Sequence, residues 1–279
     1  MSVNAADMID FFAPAGIEIE TLTPSAWGGH IPFMLCLMNF IRPKTYVELG
    51  THYGASFFAV CQAVKFYDIE CHPTAVDLWI GDEHAGVYDE SVYNDFTWIF
   101  NSKYGGVGTV LREDFNKAVE NFENKSIDLL HIDGLHTYEA VKNDYTVWLP
   151  KVSDNGIILF HDTCVRDRGF GVWKFWDEIK DCHASFNFQH THGLGVIAFG
   201  SREDNALVSI LEEVNSSSNT RESFEYFFAN CGRRAVNEAL RKFQAHDPLV
   251  DFINKVRSKD SYRKAWFRVV QKFRAVVKS

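Results

Sequence analysis

The sequence predicts an α/β protein built on a doubly wound, Rossmann-like sheet whose last strand runs antiparallel. Three observations predict it. Residues Ile127–Thr163 read strand, loop, helix, turn, strand: two short apolar runs, Ile127–Ile132 and Gly156–Phe160, flank Thr137–Trp148. In that central stretch Tyr138, Val141, Tyr145 and Trp148 recur at helical spacing among polar residues, so the unit is a βαβ crossover with parallel strands. The alternation of apolar runs with helical patterns extends upstream of this unit, as a doubly wound sheet requires. After it, Phe186–His190 and Gly195–Phe199 are close enough in sequence to form a terminal antiparallel pair.

In chain order, residues 1–44 predict an N-terminal helical cap, with helices over Val3–Phe12 and Ile31–Ile41 separated by a break at Thr23-Pro24-Ser25. The sheet region spans residues 45–200. Its first strand is Thr45–Leu49, followed by Gly50-Thr51-His52-Tyr53-Gly54 and a helix over Ala55–Phe66. Thr74–Val76 is a second strand, closed by Asp77. An insertion over residues 78–105 carries a helix from Ser91 to Lys103. Val107–Leu111 is the third strand, Asp114–Phe122 a helix, and Ile127–Thr163 supplies strands four and five. Pro150 stops the helix between them and Asp154-Asn155-Gly156 makes a turn. A helix over Val172–Lys180 precedes the terminal pair. Residues 201–279 predict a helical extension, with Asn215–Thr220 as its linker.

Composition narrows the function. With 279 residues, 46% hydrophobic and 15% aromatic, the chain can build a sizeable core and is not a disordered segment. Its formal charge of −9 is uneven: residues 251–279 carry +7 and the remainder −16. An acidic body argues against nucleic acid as a partner. Six scattered cysteines without a C-x-x-C pair suit reduced thiols. With no basic n-region at the N-terminus and no apolar run of membrane-spanning length, they predict a cytoplasmic protein.

Ligands of open α/β sheets bind at the carboxyl ends of the strands. Glu48, Gly50, Thr51, His52, Tyr53, Gly54 and Ser56 lie where strand one meets its helix, Asp77 ends strand two, and Asp114 follows strand three. The glycine spacing is neither that of a dinucleotide fingerprint nor that of a phosphate-binding P-loop. Carboxylates without a phosphate cradle suit a nucleoside carrying a cation. Asp77 can accept both ribose hydroxyls and Asp114 lies within reach of an adenine edge. The bland alternative is a tight turn and a helix cap. At strands four and five, His131, Asp133, His136, His161 and Asp162 converge on one rim.

The runs VELGTHYGASF, AVDLWIGDEH, IDLLHIDGLHTYEAVKNDYTVWLPKVSDNGIILFHDT and FGVWKFW…HGLGVIAFG resemble the class I S-adenosylmethionine-dependent methyltransferases of the methyltransferase-24 type. Such domains often accompany glycosyltransferases in glycan biosynthesis. The resemblance covers residues 45–200 and implies a seven-stranded sheet, S-adenosylmethionine as cofactor at the residues above and at Asp133, and a sugar or glycan hydroxyl as acceptor. The related macrolide-sugar O-methyltransferases pair an aspartate on strand four with an acidic pair after strand five around magnesium. Asp133 and Asp162 match that pattern, whereas His161 replaces an acid. Metal assistance by Mg²⁺ or Mn²⁺ at Asp133, His161 and Asp162 and metal-free base catalysis both stay open. His136 matches the position of the base in those enzymes, with Asp133 beside it. His131 reads as a hydrogen-bonded core histidine, and His190 and His192 as structural.

Gly81-Asp82-Glu83-His84 opens the insertion and reads equally as a lid or as a solvated turn. Tyr262, Ala265, Trp266, Val269, Val270, Phe273, Val276 and Val277 recur at helical spacing among Arg and Lys, a basic amphipathic pattern. Docking on the acidic body or across a homo-oligomer interface is one reading. Peripheral membrane contact near lipid-linked glycans is the other. Competing functions are a methyltransferase for a small secondary metabolite, a nicotinamide oxidoreductase, disfavoured by the glycine spacing, and a non-catalytic scaffold for a glycosyltransferase.

Overall fold

The computed structural model describes residues 5–84 and 86–245. Seven strands form one sheet: β1 Thr45–Leu49, β2 His72–Val76, β3 Thr109–Leu111, β4 Ile127–Ile132, β5 Val152–His161, β6 Ala184–Phe188 and β7 Leu194–Ala198. Their order is β3-β2-β1-β4-β5-β7-β6. The first five are parallel, and β7 runs antiparallel between β5 and β6. This is the predicted Rossmann-like sheet. Chain order reverses between β1 and β4, which opens a crevice at their carboxyl ends.

Side chains of the central strands alternate between two cores, as period two requires. Tyr46, Leu129, Ile157 and Leu159 enter one, and Val47, Leu130, Ile158 and Phe160 the other. Helices α2 (Ile31–Ile41) and α3 (Ala55–Phe66) cover the first core, α6 (Tyr138–Trp148) and α7 (Val172–Ile179) the second. The cap helix α1 (Ala5–Phe12) and the C-terminal helices α8 (Ala206–Val214) and α9 (Ser218–Ala245) join the first core. There Phe33 meets Phe188 at 4.7 Å between ring centroids, Phe224 meets Phe228 at 5.0 Å, and Phe11 meets Phe228 at 6.1 Å.

Three local readings are corrected. Strand β5 begins at Val152, so Asp154-Asn155-Gly156 is a bulge within the strand and not a turn before it. The register jumps from Ile127↔Val152 to Leu129↔Ile157. The intervening Asp128 carboxylate accepts from the Lys44 and Thr45 amides (2.8 and 3.2 Å) and the Ser153 hydroxyl (3.3 Å), tying the bulge to the start of β1. The helix expected over Asp114–Phe122 is one α-turn, α5 (Phe115–Ala118), running into a 3₁₀ turn, with Asp114 outside it as the N-cap. Asn215–Thr220 is a tight join between α8 and α9. The Asn215 amide donates to Ser185 and Leu211 carbonyls, and Ser217 accepts from the Thr220 amide. Helix α4 (Glu90–Lys103) lies in the insertion, preceded by a short hairpin, Gly81–Asp82 against Gly86–Val87. The basic amphipathic pattern in residues 260–279 lies outside the described residues.

The shared aromatic core makes cap, sheet and described extension one folding unit. Phe228→Ala removes a ring at 1% exposure and should lower stability by about 3–5 kcal/mol. Denaturant unfolding followed by tryptophan fluorescence and by circular dichroism should give coincident, single transitions in both proteins; separated transitions would show that the extension unfolds on its own.

Candidate functional site

The site begins where β1 ends. The Gly50 amide donates to the Val76 carbonyl (2.9 Å), and the Asp133 amide to Leu49 (2.9 Å), so the ends of β2, β1 and β4 are laced together. Gly50 has φ +88, and a Cβ there would lie 2.0 Å from the Asp133 carbonyl oxygen. Only glycine lets the strands approach so closely. Thr51–Gly54 closes a turn through the Gly54 amide and the Thr51 carbonyl (2.7 Å).

A cavity of about 360 Å³ opens over this turn. Gly50, Thr51, His52, Tyr53, Gly54, Ser56, Asp77, Asp114 and Asp133 line it, and so do His136, His161 and Asp162. Asp77 is anchored by amides of His52 (2.9 Å) and Trp79 (2.7 Å), one to each oxygen, which leaves lone pairs for a diol. Burial pushes the Asp77 carboxyl up and these amides counter it. Asp114 is exposed and accepts from the Asn116 amide (2.9 Å). Leu78 and Phe115 bring apolar surface to the same wall. The Thr51 hydroxyl, His136 Nδ1 and His161 Nε2 are buried without a hydrogen-bond partner, as a site awaiting a polar ligand would leave them. These features fit a nucleoside with a cationic arm.

Glu48 departs from the expectation. It does not line the cavity. Its fully buried carboxylate accepts from the Tyr46 hydroxyl (2.5 Å) and faces His131 Nδ1 (3.0 Å). The Trp27 indole donates to His131 Nε2 (3.0 Å). An indole N–H only donates, so Nε2 accepts and the His131 hydrogen sits on Nδ1, toward Glu48. His131 is therefore a core histidine holding the cap to the sheet. Trp27 lies on a 3₁₀ turn, Ala26–His30, whose neighbours Ser25 and Ala26 reach the cavity wall.

At the ends of β4 and β5, His136 Nε2 lies 2.9 Å from Asp162 Oδ2 and 3.4 Å from Asp133 Oδ1. His161 Nδ1 lies 3.3 Å from Asp133 and 3.2 Å from Asp162. His192 Nδ1 reaches the other Asp162 oxygen (3.0 Å), a contact the structural reading of His192 missed. Asp162 sits at φ +61, a left-handed conformation costly for a non-glycine residue, which directs the chain out of β5. Burial would lower the His136 imidazole, but the hydrogen bonds and charges of Asp133 and Asp162 push it up to about 9. Burial would raise Asp133; the His161 charge and the bonds to both histidines hold it at about 2. His161 stands well above its ordinary value for the same pairing, overriding burial, and Asp162 well below its own.

Among the described residues Asp133, His136 and Asp162 bring three donor atoms within 4.8 Å of one another, so His136 joins the two carboxylates of the expected metal set. His161 approaches the same oxygens from the side of Trp27 and His30, at ring separations of 6.1 and 5.7 Å. Two carboxylates and an imidazole fit a divalent ion, and the nitrogen donor suits Mn²⁺ better than Mg²⁺.

The insertion forms the opposite wall. Asp82 and Tyr88 line the cavity, and Tyr88 stacks on His52 at 4.7 Å. Asp82 accepts from the His84 amide (2.7 Å), and the His84 ring lies 4.4 Å from Phe170, which stacks on His136 at 4.6 Å. Phe170 and Tyr88 gave no sequence signal, because ring stacking between distant segments has no spacing pattern.

Residues 47–163 match the methyltransferase-24 family, described as a methyltransferase domain. An uncharacterized protein of Sinorhizobium fredii, y4gI, is 41% identical over 242 residues, covering 87% of this chain and 26% of that protein. The uncharacterized protein R132 of Acanthamoeba polyphaga mimivirus is 29% identical over 123 residues, covering 42% of this chain and 51% of that protein. The chain thus spans about a quarter and about half of these relatives' lengths. Among solved structures, SAH-bound methyltransferase PaMTH1 of Podospora anserina aligns with TM-score 0.49 and 13% identity, over 72% of this chain and 90% of that one. The O-methyltransferase TomG of Streptomyces achromogenes, involved in tomaymycin synthesis and in complex with SAM, aligns with TM-score 0.46 and 13% identity, over 71% and 92%. No helix among the described residues is long and apolar enough to cross a membrane.

The cluster's charges make stability depend on pH. A histidine whose folded pKa is raised stabilises fully below its unfolded value, about 6.5, and loses that contribution as pH rises through about 9. In chelator, unfolding free energy should therefore fall by about 2–3 kcal/mol between pH 6.5 and 9.5. His136→Gln should flatten this slope. Denaturant titrations at the two pH values measure it, and equal slopes in both proteins would remove His136 from the charge cluster.

Proposed function

We propose that this chain is an S-adenosylmethionine-dependent O-methyltransferase acting on a sugar or glycan hydroxyl. The observation that carries this reading is one continuous cavity, with a diol-accepting carboxylate, Asp77, toward one end and the Asp133–His136–Asp162 cluster toward the other. S-adenosylmethionine bound there would supply a methyl group on a positively charged sulfur. Asp77 would hold the ribose, Leu78 and Phe115 would flank the base, and the Gly50–Gly54 turn would let the ligand approach the backbone.

A sugar hydroxyl is a weak acid, so methyl transfer to its oxygen needs its proton taken. His136, as it stands, carries a proton at neutral pH, because two carboxylates face it. It can accept another group's proton only after losing its own, which requires the negative charge of those carboxylates to be offset. A divalent ion on Asp133 and Asp162 would compensate it, and would itself lower the hydroxyl's pKa. Asp133 and Asp162 then orient the acceptor, and Phe170, stacked on His136, fixes the ring. A glycosyltransferase that builds the acceptor is the partner this chemistry suggests.

Label from S-adenosylmethionine should appear in a glycan extract. Asp77→Ala should weaken binding of S-adenosylmethionine by about one to two decades in calorimetry, since a charge-assisted hydrogen bond contributes roughly 1.5–3 kcal/mol. His136→Ala should lower turnover by about two to four decades while leaving that affinity nearly intact. Chelator should abolish transfer and Mn²⁺ restore it, and Asp133→Ala should lose the response. Full transfer in chelator at pH 7 would leave the carboxylates alone to take the proton.

A further inference from the structure

Carboxylates predominate in the cavity wall. Asp77, Asp82, Glu113, Asp114, Asp133 and Asp162 line it, and among the described residues no lysine or arginine does. Three arginines of neighbouring segments engage other side chains, Arg168 among them lying over Phe170, the ring stacked on His136. Arg112 forms a two-pronged pair with Glu90 (2.5 and 3.0 Å) and lies over Tyr93. Arg166 lies over Trp173 at 4.4 Å, and Arg168 over Phe170 at 4.9 Å. The His136 and His161 imidazoles, held toward their charged form by Asp133 and Asp162, offset those two carboxylates, so the excess negative charge lies on the wall of Asp77, Asp82, Glu113 and Asp114, against the net single positive charge of S-adenosylmethionine. The field is felt at the Tyr88 hydroxyl, which burial, then Asp82, Asp77 and Asp133, push upward.

We propose that the sugar unit entering this cavity is neutral or bears an amine, and that phosphorylated, carboxylated and nucleotide-linked sugars are excluded, with Asp82 as the specificity-determining residue. The inference rests on the methyl-transfer reading above and narrows its substrate class. An incoming phosphate would shed water and find carboxylates where it needs cations. One like-charge pair about 6 Å apart, in a cleft with an effective dielectric of about 40, costs roughly a decade in affinity. A neutral hydroxyl-rich ring meets the opposite situation, since carboxylates accept from its hydroxyls and Tyr88 offers an aromatic face.

Asp82 is singled out by position. Asp77 and Asp114 belong to the nucleoside half, and Asp133 and Asp162 to the cluster. Asp82 stands on the insertion hairpin, its backbone fixed by pairing to Gly86, and the ring of His84, two residues on, lies 5.7 Å from that of His136. Its Oδ1 accepts from the His84 amide, a bond that asparagine can keep.

The test uses the full chain with labelled S-adenosylmethionine and Mn²⁺ on a glycan extract divided by ion exchange into neutral, cationic and anionic monosaccharide and oligosaccharide pools. Label should enter the neutral and cationic pools, with the anionic pool lower by about tenfold or more. Asp82→Lys should raise labelling of the anionic pool by about tenfold relative to the others, and Asp82→Asn should move the ratio part of the way. Label mainly in the anionic pool overturns the proposal and leaves methyl transfer standing. Label in no pool overturns methyl transfer to glycans and the proposal with it. If Asp82→Lys is folded by circular dichroism and leaves the ratio unchanged, Asp82 does not set the specificity.

Discussion

Two carboxylates buried side by side, Asp133 and Asp162, are the constraint on which the rest of this site depends. Buried charges persist only when paired and hydrogen-bonded. Here the compensation is three imidazoles, His136, His161 and His192, approaching from three segments. Each segment must then be held. The His192 turn is left-handed at Thr191, His192 and Gly193, and a Cβ at Gly193 would lie 2.5 Å from the Thr163 hydroxyl. The Asp162 backbone adopts φ +61, stabilised by its amide donating to the Gly193 carbonyl. Local strain is offset by the pairing it makes possible.

The same constraint explains the N-terminal cap. A 3₁₀ turn carrying Trp27 and His30 sits over the buried histidines, and Trp27 fixes the His131 tautomer. The turn is clamped on both sides. A Cβ at Gly232 of α9 would lie 2.0 Å from the Gly29 carbonyl oxygen, and one at Gly29 would lie 2.6 Å from Thr191. Helix α9 therefore presses the turn onto the site, and Glu225 of that helix accepts from the Gln189 and His190 amides and faces the His190 ring at 2.8 Å. The cap supplies part of the cavity wall through Ser25 and Ala26, and the extension backs it from behind.

What the sequence disclosed follows from the range of the interactions. Helices Ile31–Ile41 and Ala55–Phe66 and strand Thr45–Leu49 were legible to the residue, because local period and turn chemistry specify them. The rim at Asp77, Asp133, His136, His161 and Asp162 was legible because parallel strands bring their carboxyl ends to one edge. Glu48 lies one residue before the end of β1, where its side chain joins Tyr46 and His131 in the core, while Gly50 lies just past the strand, where the cavity opens. Asp144 read as part of the polar face of its helix, yet it is buried beside Gly134, and burial raises its carboxyl to about 7. His192, Trp27 and Phe170 are joined to the site by tertiary contacts, which leave no trace in spacing.

The carboxylates would also tie two requirements of the proposed methyl transfer together. A positively charged sulfur is stabilised by a negative cavity, and a neutral acceptor enters it without repulsion. The same negative field raises the histidine that would take the acceptor's proton, since Asp133 and Asp162 favour its charged form. A stronger field binds the cationic donor better and leaves a poorer base. A divalent ion on Asp133 and Asp162 would resolve the conflict locally, because it would neutralise the carboxylates nearest the imidazole and leave those of Asp77, Asp82, Glu113 and Asp114 on the rest of the wall. The division of six carboxylates between a compact cluster and a dispersed rim is therefore an arrangement by which, on the proposed reading, one cavity would attract a cation and still accept a proton.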